Sequence, residues 1–94
     1  MNKYLIEFFG TAIFLYVTLA TGNALAIGAT LAILILIGLS LGGSSHYNPA
    51  VTVMMASAKK IPINDLLPYI ILQIFGGLIA LELYKRIGGG GGGN

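Results

Sequence analysis

The residues best suited to chemistry lie in one uncharged string, His46-Tyr47-Asn48-Pro49-Ala50-Val51-Thr52. Proline suits the first position of a helix, where no backbone N–H is needed, and asparagine just before it is a good N-cap. A helix starting there presents unpaired backbone N–H groups and a partial positive charge, to which the Asn48 amide adds two donors. Such an arrangement holds a water or hydroxyl oxygen by donation and repels a cation. In a soluble protein Asn48 would read as a cap alone; in an uncharged membrane segment it reads as capping the helix and lining a pathway at once. His46 is the single histidine. Its titration near neutral pH would allow gating, but with no visible partner it reads as a structural hydrogen-bonder. No acid, base and nucleophile set accompanies these residues, so the chain does not read as an enzyme. Without cysteine there is no thiol nucleophile, disulfide or Cys-based metal site, and no cofactor is expected.

The elements that must hold this string are membrane elements. The chain is 56% apolar and 9% charged, where soluble domains run to about 25% charged. Between Glu7 and Lys59 there is no Asp, Glu, Lys or Arg, and a water-soluble monomer is excluded. Spans are expected at about residues 4–21, 24–41 and 66–84. Lys3 ahead of an apolar run resembles a signal peptide, but Glu7 interrupts that run, so the first span reads as retained. Only about nine residues, 49–57, are available to a helix before Lys59 and Lys60; at 1.5 Å per residue they cover about 13 Å, under half of a bilayer core of about 30 Å. That segment reads as a re-entrant half-helix, entering from and leaving to the same side, with the two lysines in the interface. Pro62, Asn64 and Asp65 begin the third span, and Pro68 falls in its first turn. The glycines within spans, Gly10, Gly28, Gly38, Gly76 and Gly77, read as close-packing positions, and Tyr16, Tyr47 and Tyr69 as packing or interface aromatics. Residues 1–87 form one unit, and the glycine run from Gly88 with Asn94 reads as a disordered tail. Five basic residues at three places along the chain are too sparse for a nucleic-acid surface.

The motif string, following a Gly/Ser-rich break after two spans, closely resembles the first signature of the aquaporin and glycerol-channel (major intrinsic protein) family. Glu7-Phe8-Phe9-Gly10-Thr11 resembles the family's first helix, and Pro68-Tyr69-Ile70-Ile71-Leu72-Gln73 with Gly76 its third. The resemblance implies an all-α membrane protein, three transmembrane helices plus one re-entrant half-helix, equivalent to one of the family's two inverted repeats. Val51 after the Asn-Pro-Ala, where the second repeat carries Arg, matches the N-terminal repeat. On that resemblance Asn48 is the pore donor, Pro49 and Ala50 meet an opposing half-helix, and His46 lies in the pore-entering loop. Glu7 accepts hydrogen bonds from loop backbone groups, with a snorkelling interfacial acid as the alternative, and Gln73 makes a comparable interhelix bond.

Departures from the family pattern shape the expected selectivity. Counting back twenty residues from Asn48 places the second-helix selectivity position on Gly28, where the family has an aromatic, and Val51 stands in place of a filter Arg. A pore that this chain builds with itself would be wide and lack a fixed cation, favouring glycerol-like or other small neutral solutes over water alone. The expected partners are the lipid bilayer, the permeating water or small uncharged solute, and the chain itself, as an antiparallel dimer or an octamer forming four pores. Lys3, Lys59 and Lys60 on one side against Lys85 and Arg86 on the other give the weak orientation bias that dual insertion needs. Two other readings stand beside this one: a non-conducting structural membrane protein, and a fragment whose second repeat lies on another chain.

Overall fold

A computed structural model describes residues 1–88; the expected tail beyond Gly88 lies outside the described residues. Helix α1 runs Lys3–Thr21, α2 Ala24–Ser40, α3 Pro49–Ser57 and α4 Leu66–Leu83. A 3-10 turn, Ile63–Asp65, leads into α4, and a π-helical turn, Tyr84–Gly88, follows it. Among the described residues every regular element is helical. The chain is an all-α membrane protein. Helices α1 and α4 have the length and apolarity of spans, and α2, with 17 residues, is about 26 Å long, within the range that crosses.

The ends are set by local chemistry. Asn2, Asn23 and Asn48 cap α1, α2 and α3, their side-chain oxygens accepting from the N–H groups of Tyr4, Ala26 and Ala50 at 2.7, 2.9 and 2.8 Å. Gly22 closes α1 at φ +55° and donates to the Thr18 carbonyl at 3.1 Å, which lets Asn23 start α2 without an intervening loop. Lys59 closes α3 at φ +59°, and the Lys60 N–H reaches the Met55 carbonyl at 2.9 Å, a C-terminal motif in which the first residue past the helix is left-handed. Asp65 does not cap α4. Its carboxylate instead accepts from Lys3 Nζ at 2.8 Å and Tyr4 Oη at 2.7 Å, tying the beginnings of α1 and α4 together on one face of the membrane.

The two long spans α1 and α4 run parallel and form the main helix pair. A Cβ at Gly76 would lie 2.8 Å from the Phe8 carbonyl oxygen and 3.2 Å from the Ala12 nitrogen, so this glycine lets two backbones meet without a side chain between them. Gly10 and Gly38 make room for Tyr47, whose ring and hydroxyl occupy the space their Cβ atoms would take. Gly28 differs from the close-packing expectation: nothing lies within 4 Å of a Cβ placed there, because α2 presents that face to open space.

The interior is polar for a membrane protein. Glu7, Thr11, Ser45, His46, Thr52, Asp65 and Gln73 are buried, and the fully buried large side chains include Tyr69, Gln73 and Glu7. Much of the apolar surface points outward, as expected where lipid replaces water around the helices.

Candidate functional site

The site is built where the loop after α2 folds back to launch α3. Two residues of that loop, Ser45 and Tyr47, both have φ of 56°, left-handed values that cost a non-glycine residue of order 1–3 kcal/mol and persist only where surroundings over-determine them. Here a single carboxylate does so. Glu7 Oε2 accepts the His46 N–H at 2.8 Å, and Oε1 accepts the Tyr47 N–H at 2.8 Å and Gln73 Nε2 at 3.0 Å. The alternation of left-handed residues turns two successive N–H groups toward the same acceptor. At membrane depth an irregular backbone survives only when its polar groups are satisfied or face a cavity, and Glu7 of α1 with Gln73 of α4 meets that need.

Gln73 Nε2 also donates to Thr52 Oγ1 at 2.8 Å, and Thr52 Oγ1 lies 2.8 Å from His46 Nδ1. Thr52 Oγ1 thus joins the Gln73 amide to the His46 ring, the direction of its bond with Nδ1 following the imidazole tautomer. The ring lies edge-on to Tyr69, centroids 5.4 Å apart, and the Tyr69 hydroxyl is 3.1 Å from Ser44 Oγ. Tyr47 completes the frame by donating from Oη to the Leu34 carbonyl at 2.8 Å. Loop and half-helix are thus fixed to α1, α2 and α4 by side chains rather than by the helix ladder.

Two cavities flank the start of α3. One, of about 430 Å³, is lined by Phe14, Leu31, Ile35, Leu39, Val51 and Met55, with Ser44, Ser45, His46 and Asn48 as its polar members. None of these residues carries a formal charge, so the groove is largely apolar with a few neutral polar groups. The second, of about 360 Å³, lies between α1 and α4 against Asn48 and Pro49 and is also lined by Thr11 and Gln73. Thr11 Oγ1 and Gln73 Oε1 are buried there with no hydrogen-bond partner among the described residues. Asn48 borders both cavities and is exposed. Its oxygen is committed to the Ala50 N–H, so its amide nitrogen is the donor it offers beside the cavities.

The structure brings together Glu7, Gln73 and His46 in one network and places Asn48, Pro49 and Val51 at the cavities. Ala50 is exposed beside the tip. Gly28 stands apart from the groove lining, although it shares a face of α2 with Leu31, Ile35 and Leu39, one turn beyond them. Thr52, Ser44 and Ser45 also belong to the site, although the sequence, in which Thr52 falls within the motif string and the two serines in the Gly/Ser-rich break, assigns none of them a binding role. The one signal for Thr52 is a hydroxyl at an otherwise apolar stage of a half-helix, four residues past the cap. Among the described residues no group of three or more His, Cys, Asp or Glu side chains is placed to hold a metal.

A membrane-embedded helical repeat with a re-entrant half-helix is the class that fold and site define. The sequence pattern of the family described as major intrinsic protein matches residues 1–91, and the chain belongs to that family. It is accordingly a multi-pass integral membrane protein. Glycerol uptake facilitator protein-like 6 of Lactiplantibacillus plantarum is 40% identical over 93 residues, covering 90% of this chain and 43% of the relative. Aquaporin Z of Brucella melitensis biotype 1 is 32% identical over 107 residues, covering 96% and 46%. Probable aquaporin PIP2-8 of Arabidopsis thaliana is 31% identical over 109 residues, covering 89% and 39%. The chain spans less than half the length of these curated relatives. No solved structure matches at comparable significance.

Proposed function

We propose that the chain is a passive channel subunit for water and small neutral solutes such as glycerol, in which one copy supplies half of a pathway and a second copy, inserted antiparallel, supplies the other half. The observation that carries this reading is the uncharged groove beside Asn48, a largely apolar lining that also holds the hydroxyl, imidazole and amide groups of Ser44, Ser45, His46 and Asn48. Solute carbons fit the apolar side chains and solute hydroxyls the polar ones. Asn48, with the start of α3 behind it, donates to solute oxygens and disfavours cations. Pro49 and Ala50 form the contact with the opposing half-helix. With Gly28 and Val51 at the filter positions, the constriction admits a solute wider than water.

A second reading, that the other repeat resides on another chain or further along a longer one, is favoured by the relatives, which are more than twice the matched length. The chain contains no cysteine, so a single Ala50→Cys change separates the two. In purified protein, oxidation is expected to link copies tip to tip, because opposing tips approach within the ~4.4–6.8 Å Cα separation that a disulfide spans. Absence of the linked dimer overturns self-pairing and leaves the two-chain reading.

A further inference from the structure

Four side chains give the groove at Asn48 its polarity, Ser44, Ser45, His46 and Asn48. Two of them are buried: the Ser45 hydroxyl lies 3.2 Å from Tyr47 Oη, and His46 turns Nδ1 to Thr52 Oγ1. Ser44 is half-buried and Asn48 exposed, so these two are the open polar groups of the lining. Their hydrogen-bonding capacities are complementary. The Asn48 oxygen is committed to the Ala50 N–H, which leaves its amide nitrogen as a donor. Ser44 Oγ lies 3.1 Å from Tyr69 Oη, and a serine hydroxyl has one proton and two lone pairs. If Tyr69 donates, Ser44 keeps its proton and one lone pair; if Ser44 donates, it keeps both lone pairs. In either polarity Ser44 offers the acceptor that Asn48 lacks.

Tyr69 fixes the position of that acceptor. It is fully buried, and its ring stands edge to face with His46 at 5.4 Å and with Tyr4 at 5.7 Å between centroids. Tyr4 is held in turn by its 2.7 Å bond to Asp65 Oδ1, while Asp65 Oδ2 takes Lys3 Nζ at 2.8 Å. The junction of α1 and α4 at the membrane face therefore sets where Tyr69 Oη stands, and Tyr69 Oη sets where Ser44 Oγ stands. A polar group held in this way needs no reordering when a solute arrives.

A largely apolar lining with one donor and one fixed acceptor suits a solute whose hydroxyls donate and accept along a carbon skeleton. Water in such a groove can be hydrogen-bonded by a second water. The skeleton of a polyol keeps other water away from its hydroxyls, and an unmet hydroxyl in apolar surroundings is costly. We propose that Ser44, positioned by Tyr69, is a specificity-determining residue that raises polyol passage relative to water, a role that rests on the channel reading and gives the solute class of that same groove.

Stopped-flow light scattering of proteoliposomes gives the water permeability under an impermeant osmotic gradient and the glycerol permeability under an inward glycerol gradient; the readout is their ratio. One neutral hydrogen bond corresponds to about fivefold in rate. Ser44→Ala is expected to lower the glycerol-to-water ratio about fivefold, and Ser44→Thr, which keeps the hydroxyl, to hold it near the parent value. Tyr69→Phe keeps the ring against His46 and Tyr4 but releases Ser44, and should lower the ratio by a smaller factor. A merely structural role would slow both solutes together, so an unaltered ratio in Ser44→Ala beside a conducting parent overturns the role of Ser44 and leaves the channel reading standing. A ratio in Ser44→Thr as low as in Ser44→Ala shows that the hydroxyl is not the cause, and an unaltered ratio in Tyr69→Phe overturns its positioning by Tyr69. A parent protein that passes neither water nor glycerol faster than protein-free vesicles overturns the channel reading and this role with it.

Discussion

Replacing Glu7 with Gln tests how the loop between α2 and α3 is held. The carboxylate accepts from the His46 and Tyr47 N–H groups at 2.8 Å each and from Gln73 Nε2 at 3.0 Å, and Glu7 is fully buried. A glutamine offers one acceptor oxygen and turns its amide nitrogen toward a donor, so one backbone N–H of the loop loses its partner. Hydrogen bonds to a charged group contribute about 1.5–3 kcal/mol each and neutral ones about 1 kcal/mol, which puts the loss at about 3 kcal/mol after some relaxation. Two left-handed residues, Ser45 and Tyr47, then lose what holds them, and the loop that aims Asn48 relaxes. The assay is reversible unfolding in mixed micelles followed by helical circular dichroism, with Glu82→Gln as control. Glu82 is exposed and meets only Arg86, so the control should stay within about 0.5 kcal/mol of the parent. If Glu7→Gln is no less stable than Glu82→Gln, the carboxylate does not organise the loop between α2 and α3.

Other outcomes follow from the same geometry. Gly76→Ala drives a Cβ to within 2.8 Å of the Phe8 carbonyl and should cost about 1–3 kcal/mol in the same unfolding assay, whereas Gly28→Ala meets open space and should be neutral or slightly stabilising. Asn48→Asp places a carboxylate between the two cavities and should raise proton and cation leak in dye-loaded proteoliposomes; an unchanged leak would remove Asn48 from the pathway.

The membrane class and the helical architecture are legible in the sequence because their signals are local: an uncharged apolar run, Asn-Pro at a helix start, Gly-Asn between two spans. Other features depend on residues far apart in the chain. Asp65 looks like a helix-start residue by position, yet its partners Lys3 and Tyr4 lie 62 and 61 residues away. Nothing near Thr52 announces that it will join Gln73 to His46. Tyr47 has the profile of a packing aromatic, and it does pack, but the holes it fills at Gly10 and Gly38 belong to two other helices. Gly28 illustrates the opposite difficulty, since a glycine in a span is equally consistent with close contact and with open space until the neighbouring helix is placed.

Conduction of small neutral solutes through the groove at Asn48 is measured by stopped-flow swelling of proteoliposomes under glycerol, urea and water gradients. Swelling should be faster than in protein-free vesicles for glycerol as well as water, and should return toward the protein-free rate in Glu7→Gln. Unaltered permeability to all three solutes in vesicles carrying folded protein would contradict it.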